Sequence, residues 1–522
     1  KHREVEQAVF STFLHSQPIG HEARTRELMV LLGATRPDRI ELEKALKAWS
    51  RVSHWLDDKN TQTEDEALPN AWRLGNRPNL TQMHTVAMTN VNDEVVKARL
   101  IDEIQKTKSL TATASAAGVR VHTLPTHPRE VQDEGDFHYA VLGPSASSES
   151  GKPSPAAKGF LDQTTGPDRP RVYRNAVILL TPSKDGLDLA SRRVREYLAW
   201  ENVKEELEAQ RKEGNVDPAR MSTLGMNLDK ARQAVPTAIR EAYCVVVTVS
   251  KANEVQAFKL SVSADPHFAT LKADERSRIQ ETVITAEALL PEGPYDLWRE
   301  GETFRRVTDL TGAFAQLPHL PKMLKSTAIV DTLVQGCEEG AFVLRLPRRD
   351  KSFRTWWRSR PDAVALTDAA LELVLPNAED LVLGDLPPSL LAPGVLPGLW
   401  SGDEITVHTA LDYCAGGNVV TVTREVEGQT YQEPMAIPKA PADVMNAAVE
   451  AAVEDGTLWL LSGPASVWGE PVPAGVLGPG ARLRKPPETI GALEILPESL
   501  PEAWRGGTTT ALAIVTQLSQ AK

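Results

Sequence analysis

The feature that most constrains this chain is the run Ala176-Val-Ile-Leu-Leu180, closed by Pro182 and Gly186. Five successive apolar residues bounded by turn formers read as a strand buried on both faces. Beyond it Leu189, Val194, Leu198 and Val203 recur at near-helical spacing, with Tyr197 and Trp200 beside them and Arg192, Arg193, Arg195, Glu196 and Glu201 on the other side. A buried strand feeding an amphipathic helix is half of an α/β unit, so a sheet is expected around it. Val119–Leu124, Tyr139–Leu142, Cys244–Val249 and Gln256–Val262 supply the other strands, and Asp217–Tyr243 a further helix. Residues 109–265 are therefore read as one α/β domain.

The rest divides around it. Glu4–Ser16, Glu22–Leu32 and Arg39–Ser53 have helical periodicity, and His54–Leu56 and Trp72–Leu74 are short strand candidates. Three helices and a hairpin make a winged helix, which with an exit helix at Val91–Thr107 occupies residues 1–108. Its wing carries Asp57, Asp58, Glu64, Asp65 and Glu66 against Lys59, and an acidic wing repels phosphate, so packing is the better role for it. Gly143–Gly159 reads as a flexible excursion and Ala273–Leu290 as a helix. A helix with Ile329, Leu333 and Cys337 leads to Gly340 and the strand Phe342–Leu344. The same pattern returns 116 positions on, with Met445, Val449 and Val453, Gly456 and Leu458–Leu460. This places one winged-helix-like module at 266–362 and another at 441–522, joined by a β-rich connector at 363–440. The fold class is α/β plus winged-helix-like α+β modules, in several domains.

Composition narrows the function. A net charge of −12 excludes a general nucleic-acid coat, so any such contact must be a local patch. Three scattered cysteines among apolar neighbours suit a reduced, cytoplasmic setting, and no apolar run approaches the ~18 residues of a membrane span. The chain opens on Lys-His-Arg, as a piece of a longer protein would.

No catalytic set emerges. Around Gly151-Lys152 a phosphate loop would need glycine at Ala146 and a hydroxyl at Pro153, and no helix is read after it. His21-Glu22 lacks the second zinc-protease histidine, since Thr25 stands there, and Gly143-Pro-Ser-Ala-Ser147 lacks the second glycine of a nucleophile elbow.

One stretch stands out. Arg345, Arg348, Arg349, Lys351, Arg354, Arg358 and Arg360 crowd a window interleaved with Phe353, Trp356 and Trp357. It lies where a wing would be. Arginines neutralise phosphates and aromatic faces stack on bases, so contact with DNA or RNA is one reading. A protein-partner surface, or pairing with the chain's own carboxylates, are the others. Arg174-Asn175, at the mouth of the central strand, either caps that strand or reaches a neighbour's phosphate as an arginine finger or sensor does.

Several phrases in order carry a resemblance: Val9-Phe-Ser-Thr-Phe-Leu-His-Ser16, Arg77-Pro-Asn-Leu80, Tyr173-Arg-Asn-Ala-Val-Ile-Leu-Leu180 and Arg195-Glu-Tyr-Leu-Ala-Trp200, with Gly456-Thr-Leu-Trp-Leu460 further on. Together they resemble the region downstream of the ATPase core in large, AAA-like P-loop ATPases of bacterial phage-defence islands, the PglY-like proteins of BREX-type systems. The likeness is best over residues 5–250. It implies a parent that binds ATP and Mg²⁺ upstream of Lys1, hydrolyses ATP and works on DNA beside a methylase and other defence proteins. No cofactor is expected within this chain, and self-association stays open. The expected role is a non-catalytic region that relays nucleotide state to DNA or protein partners; the alternative is a winged-helix regulator unrelated to any ATPase.

Overall fold

A computed structural model describes residues 23–33, 38–54, 56–57, 71–73, 78–212, 218–281, 284–426, 429–486 and 490–520. The expected helix Glu4–Ser16 and most of the acidic wing lie outside them. The chain divides into two compact units, Lys1–Glu281 with Gly312–Ser326, and Thr282–Thr311 with Thr327–Lys522.

In the first unit β1 (Ala23–Arg24) leads into α1 (Thr25–Gly33) and α2 (Arg39–Val52), whose N-cap Asp38 accepts the Ile40 and Glu41 amides. Trp55 and Leu74 of the expected hairpin between residues 54–56 and 72–74 lie outside the described residues, while Leu56 sits in a β-bridge and the Asp57 N–H donates to the Arg73 carbonyl at 2.8 Å. β2 (Ala71–Trp72) also pairs with β1, where Trp72 is buried against Trp49 and Leu28. α3 (Leu80–Asn90) and α4 (Asp93–Lys106) follow, the latter matching the expected exit helix. α3 packs along the long central helix, so it is part of the α/β core and not of a separate module.

A five-stranded sheet organises this unit. After the short α5 (Ala112–Ala116) come β3 (Arg120–Thr123), β4 (His138–Val141), α6 (Pro155–Asp162), β5 (Val177–Thr181), α7 (Lys184–Lys212), α8 (Pro218–Ala242), β6 (Val245–Val249) and β7 (Val255–Lys259). Spatial order follows chain order, with β3, β4 and β5 parallel and β6 and β7 antiparallel. Because strand side chains alternate, Ile178 and Leu180 face α4, α7 and α8, while Val177 and Leu179 face α6. Every residue of β5 is buried, and each leucine or isoleucine so placed contributes roughly 1.5–3 kcal/mol. The stretch read as a flexible excursion is in fact ordered: Ser154 caps α6, which sinks Ala157, Phe160 and Leu161 into the second face. Ser154 and Pro155 serve here as the helix-start residues.

The helix expected over Ala273–Leu290 is broken up. α9 (His267–Ala273) ends at Asp274, whose side chain takes the Arg276 amide, and Arg278 turns left-handed at φ 55°. The chain then forms β8 (Ile279–Gln280), parallel to β10 (Lys322–Met323) of the same unit, and a 3-10 turn at Ala286–Leu289.

The second unit repeats one plan. Its first module runs β9 (Phe304–Arg306), α10 (Val307–Gln316), α11 (Thr327–Glu339), the hairpin β11 (Val343–Pro347) and β12 (Phe353–Trp356), the short α12 (Ala363–Leu366), then β13 (Glu372–Val374). The second runs β14 (Glu404–Thr406), α13 (Val407–Tyr413), α14 (Ala442–Glu454), the hairpin β17 (Trp459–Ser462) and β18 (Ala465–Val467), then β19 (Arg482–Arg484). Strand orders β12-β11-β13-β9 and β18-β17-β19-β14 are the same topology. Gly340 and Gly456 end the long helices at φ 84° and 81°, which glycine adopts without steric cost. In each copy an indole then donates to that glycine's carbonyl, Trp357 to Gly340 at 3.3 Å and Trp468 to Gly456 at 3.0 Å.

The repeat starts earlier than the glycines show. Trp298, Trp400 and Trp504 each donate to a carbonyl nine residues back, at 2.7, 2.9 and 3.0 Å. They stand 102 and 104 positions apart, each preceded by a 3-10 turn and followed by a helix, α15 (Ala511–Gln520) in the third case. Expected boundaries at 363 and 441 therefore fall inside modules. β13 inserts between β11 and β9, and this long-range pairing leaves no local sequence signal. Between α13 and α14 the second copy carries an added hairpin of β15 (Val419–Val426) and β16 (Gln429–Ala436).

Candidate nucleic-acid interface

The basic stretch is the hairpin β11–β12, with Arg345 opposite Thr355 and Leu346 opposite Arg354. The tip is a tight turn in which Arg348 donates to Ser352 and Lys351, at φ 69°, donates back to Arg348. Most of the cations are already engaged. Arg345 is buried, bonded to Glu372 at 2.7 Å and Asp380 at 3.2 Å and flanked by Phe304 and Phe353. Arg348 grips Asp385 at 2.9 Å, and Arg354 pairs with Asp362 at 2.6 Å while lying over Trp356. Arg360 faces Glu338 at 3.7 Å, and Arg358 donates to the Glu339 carbonyl.

Two expectations are corrected here. Trp356 and Trp357 are buried, so neither offers a face to a base. Burying an indole in the module core outweighs leaving it in water. Arg345 is a core ion pair. What remains is Arg349 and Lys351, exposed at the tip and without a partner among the described residues. Asp350 between them accepts from Ser352, which holds its carboxyl below the usual range, so it stays ionised and offsets part of the tip's charge. Arg354, Trp356 and Arg360 also line a groove of ≈ 610 Å³, closed opposite by Asp443 and Ala451 of α14.

Arg174 and Asn175 form a single 3-10 turn before β5. Arg174 binds Asp162 at 2.5 Å and Asn253 at 2.6 Å, and so is tied within its own unit. Asn175 is fully buried. Its amide donates to the Phe314 carbonyl at 2.8 Å and the Leu320 carbonyl at 3.2 Å. Its side-chain oxygen accepts from Lys322 at 2.6 Å and Arg278 at 3.2 Å. Lys322 is itself buried, and desolvation, helped by the Arg278 and Arg174 charges, drives its amine well below the ordinary range. Asn175 is thus a cross-brace that ties residues 312–326 to the sheet, and the strand-capping alternative describes it. Sequence reading missed Lys322 and Arg278; the signal available was a lysine inside the apolar run Leu320–Leu324.

Two histidines on adjacent strands were also unpaired by the sequence: His122 Nε2 lies 3.0 Å from His138 Nδ1. Burial, then the His122, Arg171 and Arg120 charges, push His138 down to about 4. Around Gly151 the backbone is a turn whose amide donates to Ala257 at 2.8 Å, and a helix, α6, does follow it. Ser154, not a phosphate, takes the free Ala157 amide at its start. Among the described residues no group of three or more His, Cys, Asp or Glu could hold a metal, and no helix is long and apolar enough to cross a membrane. Compared with protein-family models, curated proteins and solved structures, the chain matches none.

Proposed function

We propose that this chain is a non-catalytic binding region that follows the ATPase core of a phage-defence ATPase, and that its winged-helix-like modules carry the nucleotide state of that core to DNA. ATP and Mg²⁺ belong to the core, and a methylase and other defence proteins are the companion partners. The reading is supported most by one observation: two exposed cations of the basic stretch, Arg349 and Lys351, have no side-chain partner among the described residues and sit together at a hairpin tip. A protruding tip with two unpaired cations reaches phosphates on a duplex without displacing the carboxylates around it.

The test is fluorescence anisotropy of the chain with a labelled 30-base-pair duplex across a salt titration. Replacing Arg349 and Lys351 by Glu should weaken binding at least tenfold and lower the slope of log affinity against log salt by about 2. Reversing Arg348 or Arg354 should act mainly on stability, since each has a carboxylate partner. Unchanged affinity and slope in the tip variant would remove DNA from the proposal.

A further inference from the structure

In both complete modules the opening half is roofed by the closing half. The 3-10 turns at Ala286–Leu289 and Pro388–Leu391 bury their leucines, and the long helices α11 and α14 pack upon them. Helix α13 buries Val407, Ala410 and Tyr413 in the same cluster as Met445, Ala448 and Val449 of α14. The third opening half has the same indole bond and, like the second copy, starts its helix seven residues after the Trp, and Thr510 caps α15 as Thr406 caps α13. Yet its turn, Ala492–Ile495, and α15 bury nothing. Leu493 is 76% exposed, Leu512 76% and Val515 60%.

A second difference between the copies lies at the indole after the hairpin. Trp357 of the first copy is 1% exposed, sharing a cluster with Leu381 and Leu383 of the segment that follows. Its counterpart Trp468 is 37% exposed. Helix α15 has no charged residue and is apolar on most sides, as a helix enclosed by neighbours is.

We propose that residues 490–520 form a docking surface for a helix-and-sheet half-module of the kind built by residues 442–484. Its chemistry is given by the two examples present: a helix with a small apolar face, a left-handed glycine stop, and an apolar hairpin joined by a third strand. A second copy of this chain cannot supply it in the folded form, since both of its own such halves are already seated on opening halves. Stacked repeats bury their faces only against neighbours, so an open opening half is a site waiting for its complement.

The experiment lengthens the chain beyond Lys522 by a flexible linker and a duplicate of residues 437–486, in a Leu512→Cys background. The native cysteines are buried and leave the new thiol as the reporter. Maleimide labelling at position 512 should slow at least tenfold against the unlengthened chain, and α15 amides should gain protection from exchange. Ala448→Asp and Val449→Asp changes placed in the duplicate alone should abolish both effects. A lengthened chain whose residues 511–517 are exchanged for the Val407–Tyr413 sequence checks that the duplicate folds. Protection in that control without protection of native α15 overturns the proposal, as does protection in neither. Slow labelling in the unlengthened chain together with a dimeric mass would assign the surface to a second copy and overturn it too.

Discussion

Replacing Asn175 by Ala removes the centre of the buried brace. Lys322 keeps the Asn175 backbone oxygen at 3.0 Å but loses its 2.6 Å side-chain acceptor, and the Phe314 carbonyl loses the 2.8 Å bond from the Asn175 amide. The Leu320 carbonyl still accepts from Arg278 at 3.1 Å, so it is not stranded. Leaving a buried polar group short of a partner costs about 1–3 kcal/mol, so the lost Lys322 acceptor gives a loss of about 1–3 kcal/mol. Because Lys322 has no carboxylate beside it, Lys322→Met should cost less than Asn175→Ala. In the double variant, the coupling should recover about 1–3 kcal/mol. The assay is urea unfolding read together with amide exchange over residues 312–326, which should lose protection first. A single-variant loss below about 0.5 kcal/mol, or additive losses in the cycle, would refute the brace.

The His122–His138 pair sets a pH dependence. His138 has a folded value pushed down to about 4, against about 6.5 when unfolded, so below pH 6.5 the unfolded chain takes up the proton first. Stability from this group is complete above about pH 6.5 and falls through the window to about 4, by up to about 3 kcal/mol; His138→Gln should flatten that part of the acid limb, and an unchanged limb would dismiss it. Gly340→Ala should cost about 1–2 kcal/mol, from its left-handed φ and a Cβ only 2.8 Å from the Arg358 stem. Gly456→Ala, with its nearest neighbour the Trp468 indole at 3.4 Å, should cost about 1 kcal/mol; melting curves that reverse this order contradict the assigned geometry. Burial pushes the Cys337 and Cys414 thiols up to about 12, so both should resist maleimide at pH 7 until the chain is unfolded, and rapid labelling of the native chain would count against that burial.

The α/β core was legible because its signal is local. Five apolar residues in a row at 176–180 can hardly be anything but a doubly covered strand, and the two glycines reported the ends of α11 and α14. The errors arose where distant residues decide. Nothing near Trp72 says that its strand partner is Ala23, and nothing near Glu372 says that β13 slides between two earlier strands. The arginine cluster was visible as composition, but Asp362, Asp380 and Asp385 neutralise it from outside the window. Short 3-10 turns with a Trp nine residues on carry little periodicity, so the three copies of the opening half could be aligned only through their indole bonds.

The two complete modules differ most in the link between their paired helices. The first copy spans it with residues 317–326, which include Lys322. The second fills it with the ladder of β15 and β16, eight residues to a strand, and yet keeps the same strand order. In the second copy that position is a permissive slot, where added polypeptide alters what the module displays while the strand order is kept. An evolving or engineered chain can acquire a new epitope, ligand loop or reporter there, and the unaltered sheet order of the second copy is the precedent.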